Sequence, residues 1–366
     1  MIHHVGPARR GERAERATIS GMARSPLRVG LLGYGFGGRY FHAPLIASAP
    51  ECELVGVVTR SDERRGELAE DHPGTPAYSS LAELAADGAQ AVAISTPAAT
   101  HTALTREAIA MGLPVVCDKP FALDAASARE TVQQAEREQV PLTVYQNRRW
   151  DSDLRTLRRV MEEGWLGAVR RFESRFERFA PEPGPPAAGG GTLLDFGSHL
   201  VDQALVLFGP ARAVYAEIHS PEDRPGADDD FFVVLQHDSA VVSHLWGSWV
   251  QGAPGPRFRV TGTAGTFVVA EPDGQEAALV AGRSPATEGG RWGVEPEERW
   301  GWLRRGEVSE RVPAVRGRWD TFYPAFAAAA SGHGEVPVSP WDAVAALEVM
   351  EAARCSAETR RVVECR

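Results

Sequence analysis

One short stretch limits this chain more than any other: Gly33-Tyr34-Gly35-Phe36-Gly37-Gly38 directly follows the apolar run Leu27–Leu32 and opens a segment with helical spacing. Each glycine has its own use. Gly33 permits a tight turn, Gly35 lets backbone approach a pyrophosphate, and Gly38 lets the new helix pack closely on the strand. The helix N-terminus then offers N–H groups and positive potential to phosphates. Alone, G-x-G-x-x-G can be an ordinary glycine-rich turn. The strand before it and the helix after it make it a dinucleotide-binding fingerprint. The whole turn, with Tyr34, Phe36 and Gly37, is expected over the cofactor.

The following pattern supports that reading. Apolar runs at 27–32, 54–58, 91–95, 115–117 and 142–145 read as buried strands, and segments 38–49, 62–71, 100–111 and 124–139 between them read as helices. Alternation of this kind gives a parallel, doubly wound α/β sheet, the Rossmann arrangement, over residues 26–145. Beyond Tyr145 the pattern changes. Helical segments at 152–163, 193–208, 319–330 and 340–358 are separated by alternating strands at 169–179, 213–219, 231–237, 241–250, 258–261 and 266–270. Turns such as His237-Asp238-Ser239-Ala240 join consecutive strands, so residues 146–366 are expected to form an α+β domain with a mostly antiparallel open sheet. One face of that sheet would take helices and the other a partner, as in a homodimer or homotetramer. The Pro/Gly stretch 181–191 reads as a loop.

Composition excludes several classes. The chain of 366 residues exceeds one ordinary core and suits two domains. A formal net charge of -10 argues against nucleic acid. No apolar run reaches the roughly 18 to 20 residues of a membrane helix. Cys52, Cys117, Cys355 and Cys365 are widely separated and read as reduced thiols of a cytoplasmic protein, with no metal-ligand spacing among them or the histidines. Residues 1–25 carry five Arg against two Glu and no apolar periodicity, so a disordered tail is expected, with Met22 as the natural start.

Cofactor choice rests on the end of the second strand. An acidic residue there would bind a ribose 2′-hydroxyl and repel a 2′-phosphate. Thr59-Arg60-Ser61 stands there instead, a guanidinium flanked by two hydroxyls, which favours NADP over NAD. Asp62 comes too late and is expected to cap the next helix.

Two further sites carry chemistry. Asp118-Lys119-Pro120 ends the fifth strand, at the carboxyl edge where such sheets bind ligands. Lys119 there can steady an alkoxide, or be a solvated lysine in a turn. Asp195 and His199 lie at i and i+4, an acid beside a general base with pKa near neutrality, and Asp202 can orient the ring. Equally, Thr192-x-x-Asp195 resembles a capping box, and His199 can be a core histidine. Trp246 and Trp249 read as sheet packing.

Together the motifs resemble the glucose–fructose oxidoreductase / inositol dehydrogenase / MocA family from about Arg28 to Val363. They are G-Y-G-F-G-G-R-Y-F-H-A-P-L-I, S-T-P-A-A-T-H, D-K-P-F, Q-N-R-R-W-D-S-D, G-G-G-T-L-L-D-F-G-S-H-L-V-D-Q and W-G-V-E-P-E-E-R-W-G. The H-A-P-L-I and N-R-R-W-D-S-D pieces are most similar to the branch with NADP-dependent scyllo-inositol dehydrogenases. The resemblance implies that Lys119 is catalytic and that His199 is the acid/base beside Asp195. It also implies that Ser95, Thr96, Pro97, His101 and Asp118 border the cofactor. Asp118 replaces the glutamate of most members. The short passage from Arg178 through the Pro/Gly loop departs from the longer segment of relatives and leaves the substrate open.

The expected function is NAD(P)-dependent hydride transfer to or from a secondary alcohol of a polyol, inositol or sugar. Three alternatives remain: a keto-sugar-nucleotide reductase, an NAD-dependent glycosidase, and a non-catalytic cofactor-sensing regulator.

Overall fold

The structure, a computed structural model, describes residues 25–182, 184, 189–224 and 226–365. Met22, all but the last residue of the expected tail, and the interior of the 181–191 loop lie outside the described residues.

Six strands form one parallel sheet: β1 (Leu27–Leu32), β2 (Cys52–Val58), β3 (Ala77–Tyr78), β4 (Ala91–Ile94), β5 (Val115–Cys117) and β6 (Leu142–Val144). Their order is β3-β2-β1-β4-β5-β6, the doubly wound order that opens a crevice at the carboxyl ends of β1 and β4. Both faces are covered. In β4, Ala91 and Ala93 join one core cluster while Val92 and Ile94 join the other. That two-sided burial is why the strand reads as a continuous apolar run. The β3 strand and the helix Leu81–Ala86, capped by Ser80, escape the sequence reading because each is too short to show a period. The first helix is not uniform either: Gly37–His42 is a wide π turn before the α-helix Ala43–Ser48.

Nine strands form the second sheet: β7 (Val169–Glu177), β8 (Ala211–His219), β9 (Asp230–His237), β10 (Val242–Ser248), β11 (Phe258–Gly262), β12 (Thr266–Val269), β13 (Gly301–Arg305), β14 (Val308–Val312) and β15 (Val363–Glu364). Their order is β14-β13-β12-β11-β7-β10-β9-β8-β15. Only the β7–β10 pair is parallel; the other neighbours run antiparallel. The β13–β14 hairpin was not expected. Arg304, Arg305, Ser309 and Glu310 are exposed on it, so no apolar alternation marks an edge that water and charge cover.

Helices Gly197–Phe208 and Pro340–Thr359 lie on one face, where Leu200, Val201, Leu347 and Met350 join Phe172, Val214 and Leu245 in one core. The opposite face leaves Phe232, His244, Trp246 and Trp302 half-buried. From the second half of the chain, helix Phe322–Ala330 returns to the first sheet. Its Phe322 and Phe326, with Trp319, pack against Val29, Leu31 and Val57. Among the described residues no helix is long and apolar enough to cross a membrane.

Candidate active site

A cleft of about 1930 Å³ runs from the carboxyl ends of the first sheet to the second sheet, room for a dinucleotide and a small substrate together. Gly33, Gly35, Phe36 and Gly37 line it, as do Ser95, Thr96, Pro97, Asp118 and Lys119. Gly33 has φ +94°. A Cβ on Gly37 would strike Ser95 Oγ at 2.5 Å and Asp118 Oδ2 at 2.9 Å, and one on Gly38 would lie 2.1 Å from Gly33 O. Gly38 therefore packs helix on strand. At Gly35 the space is open: a Cβ would meet only the Arg64 guanidinium, 3.6 Å away. Open backbone at Gly35 with a cation across from it fits a pyrophosphate.

Two expected cofactor residues face elsewhere. Tyr34 is buried with its hydroxyl donating to Asp71 Oδ2 at 3.0 Å, and the same carboxylate accepts from Arg39 Nε at 2.7 Å. That clamp turns the ring away from the cleft. His101 lies behind the crevice, its Nδ1 2.8 Å from Pro120 O and its Nε2 2.8 Å from Thr96 O. Two carbonyl partners require both ring nitrogens to donate, so the ring is an imidazolium. Burial pulls its pKa down, but Cys117, Asp118 and the Pro120 carbonyl outweigh this and carry it up to about 9. His101 braces the two loops that border the cleft, without entering it.

At the far end of the cleft stand Thr59, Arg60, Ser61 and Arg64, with Ser79 and Ser80. Ser61, not Asp62, caps the helix Asp62–Asp71, accepting Arg64 N–H at 3.3 Å. Arg64 was missed by the sequence reading, although its place in the first turn after a βα loop points it toward the crevice.

The other end of the cleft gathers Lys119, Asp195 and His199. Lys119 Nζ forms an ion pair with Asp195 Oδ1. Asp195 ends the helix Gly191–Asp195, and Thr192 Oγ donates to Asp228 O at 2.6 Å, so no capping box forms. Phe196 separates that helix from Gly197–Phe208, which carries His199. His199 is 6% exposed, and its Nδ1 has no hydrogen-bond partner among the described residues. Burial, then the charges of Lys119, Arg148 and Arg257, hold its pKa well below the ordinary value. The expectation of a pKa near neutrality is thus corrected. So is the role given to Asp202, whose carboxylate takes Arg149 in a fork at 2.9 and 2.5 Å and leaves the His199 ring alone.

Around this end lie groups brought together from distant parts of the chain. Arg257 is fully buried, donating to Ser174 Oγ and Gln203 Oε1 at 2.6 Å each, with Asp153 Oδ2 3.3 Å from its Nε. Its guanidinium lies over Phe176, 4.1 Å from the ring centre. Trp249 is not sheet packing alone: it stacks on Phe196 at 5.3 Å, Arg178 covers both rings, and all three line the cleft. Trp246 does lie in the sheet, stacked on Phe232.

Residues 27–146 match the oxidoreductase family with an NAD-binding Rossmann fold, and residues 154–268 match the GFO/IDH/MocA C-terminal domain. Scyllo-inositol 2-dehydrogenase (NADP(+)) IolW of Bacillus subtilis is 32% identical over 347 residues, covering 92% of this chain and 95% of the relative. D-apiose dehydrogenase of Rhizobium rhizogenes is 26% identical over 326 residues, covering 85% and 90%. The solved structure of the Bacillus subtilis oxidoreductase yvaA superposes with a TM-score of 0.87 at 31% identity, over 93% of this chain and 99% of its own. The chain therefore belongs to the GFO/IDH/MocA oxidoreductase family and is an NAD(P)-dependent dehydrogenase.

Proposed function

We propose that this dehydrogenase uses NADP in preference to NAD and acts on a secondary alcohol, or the matching ketone, of a polyol, inositol or sugar. The observation that carries the reading is one cleft holding Lys119, Asp195 and His199 beside the glycine turn. When bound, the nicotinamide accepts or supplies hydride at the carbinol carbon. Lys119 donates to the substrate oxygen and steadies negative charge as it develops. Asp195, paired with Lys119, accepts from a neighbouring hydroxyl, so donor and acceptor stand together where a vicinal diol would enter. His199, held neutral, takes the alcohol proton, and holding these groups in place supplies much of the rate.

Gly33, Gly35, Phe36 and Gly37 would hold the pyrophosphate, flanked by Ser95, Thr96 and Pro97. Arg60 and Arg64, with the hydroxyls of Thr59 and Ser61, suit a 2′-phosphate. The relative whose name specifies NADP(+) supports this choice, and the inositol and apiose enzymes support a polyhydroxylated substrate. In this reading residues 26–145 serve the cofactor and 146–366 the substrate. A second copy of the chain would cover the half-buried Phe232, Trp246 and Trp302. A panel of polyols and sugars assayed with NADP and NAD in parallel tests the proposal. NADP-linked oxidation of at least one supports it. Retained cofactor with no net consumption would favour the glycosidase alternative, and binding without turnover a regulator.

A further inference from the structure

We propose that His42 and Tyr323 form a positioning relay that fixes the aim of Asp118, and through it Lys119. The proposal rests on the dehydrogenase reading above. His42 is fully buried at the end of the wide turn Gly37–His42. Its Nδ1 lies 2.6 Å from Tyr323 Oη, and its Nε2 lies 3.3 Å from Asp118 Oδ2. That approach lacks the alignment of a hydrogen bond, but a lone pair on Nε2 would face the carboxylate charge, so Nε2 carries the ring hydrogen and Nδ1 accepts the Tyr323 hydroxyl. The carboxylate thereby selects one tautomer of the histidine, and the tyrosine satisfies its other nitrogen.

Asp118 passes the constraint on. Oδ2 also accepts Ser95 Oγ–H at 2.8 Å, and Oδ1 accepts the backbone N–H of Lys119 at 2.8 Å. A Cβ on Gly37 would lie 2.9 Å from Oδ2, so the carboxylate stands directly against the phosphate-side turn. One carboxylate thus ties the first helix to the ends of β4 and β5. Through Tyr323 it is also tied to helix Phe322–Ala330, which the second half of the chain returns to the first sheet. Neither His42 nor Tyr323 lines the cleft, so both act through Asp118 and are positioning residues.

The ionisable groups facing Asp118 are His42 from the first helix, Lys119 beside it, His101 from helix His101–Ala110, and the phenols Tyr145 and Tyr323. Burial raises the Asp118 carboxyl, but the His42 N–H edge facing it, with the charges of Lys119 and His101, holds it down to about 2. Without His42 the carboxylate stays buried with less support, and its pKa must rise.

The test uses the full chain and three variants, His42→Phe, His42→Gln and Tyr323→Phe. Nitrogen-15 NMR of the imidazoles, without cofactor or substrate, should find His42 wholly as the Nε2–H tautomer, and in Tyr323→Phe the same tautomer with its Nδ1 resonance shifted by loss of the accepted hydrogen bond. With NADP and a reacting polyol, His42→Phe should lower kcat by about 10²-fold, the scale expected for misplacing a catalytic group. It should leave the NADP KM nearly unchanged. Its acid limb of kcat should move up by about 1–3 pH units, and His42→Gln, which keeps an N–H donor, should recover most of both losses. An Nδ1–H tautomer in the native chain would overturn the relay. So would native kcat and pH profile in His42→Phe, or equal loss of kcat and melting temperature in His42→Phe and His42→Gln. The tautomer needs no substrate: a native chain that oxidises no polyol refutes the dehydrogenase reading, and the NMR result alone then decides the relay.

Discussion

Lys119 and Asp195 stand 76 residues apart in sequence and meet as an ion pair in the cleft between the two sheets. Their side chains are 22% and 23% exposed, so water screens the pair and it contributes little to stability, about 0–1 kcal/mol. Its value is in position. Lys119→Ala should depress turnover at every pH while NADP affinity, read by fluorescence titration, survives. Asp195→Asn should raise the substrate KM with little change in melting temperature. If NADP affinity falls as far as turnover in Lys119→Ala, the lysine holds cofactor and not the reacting oxygen.

The parts of this site that are legible in sequence are those set by local backbone chemistry. Gly33, Gly35 and Gly37 line the cleft because a βα turn dictates where glycine is needed. Side-chain direction within the same turn is not local: Tyr34 turns away because Asp71, 37 residues on, takes its hydroxyl. Likewise helical spacing places Asp202 one turn from His199, but the Arg149 fork wins the carboxylate. Nothing near Arg257 in sequence announces its burial, since Ser174 and Gln203 arrive from 83 and 54 residues away. Topology alone brings Tyr323 to His42, 281 residues earlier.

Cofactor choice should depend on two arginines. Arg60 and Arg64 both line the far end of the cleft, where the proposed reading puts the adenosine, and a charge-assisted contact is worth about 1.5–3 kcal/mol, or roughly one to two decades in affinity. Arg60→Ala and Arg64→Ala should each weaken NADP more than NAD. The double variant should bring the two cofactors close to parity. Equal losses for both cofactors in Arg64→Ala would place that guanidinium on the pyrophosphate, beside Gly35, and leave Arg60 as the only 2′-phosphate contact.

Asp273 should make stability depend on pH in an unusual direction. It is 6% exposed and accepts Ser152 N–H at 2.6 Å and Gln275 N–H at 2.7 Å. Burial, then the charge of Asp153, raises its pKa to about 7 against 3.8 for the free group. Between those values the folded state holds a proton that the unfolded state has released. Its contribution is therefore present in acid and is lost as pH rises from about 4 to 7. Asp273→Asn cannot titrate, so the stability difference between native and variant, read by urea unfolding, should shrink across that window as pH rises. A difference constant with pH would mean that the carboxyl is ionised throughout.

His199 should behave as a base that is never charged in the resting enzyme. Burial and the cations Lys119, Arg148 and Arg257 hold its pKa well below 6.5, so the ring is neutral across the working range and ready to take a proton. For the same reason only the unfolded chain protonates this histidine as pH falls below about 6.5, and stability is lost in that direction. His199→Gln should remove that acid sensitivity, narrowing the gap in unfolding free energy between native and variant as pH drops from 7 to 5 if the native side chain packs better. His199→Ala should lower kcat by about 10²- to 10⁴-fold, the usual weight of a positioned acid/base group. The native kcat/KM profile should carry no inflection near neutrality that disappears in His199→Ala, and one that does disappear would mean that the free ring titrates normally. Lys119→Ala gives an independent check, because removing one of the three cations should move the imidazole pKa upward, as followed by NMR titration. Native-like turnover in His199→Ala would leave the proton to another group and reduce this histidine to part of the core.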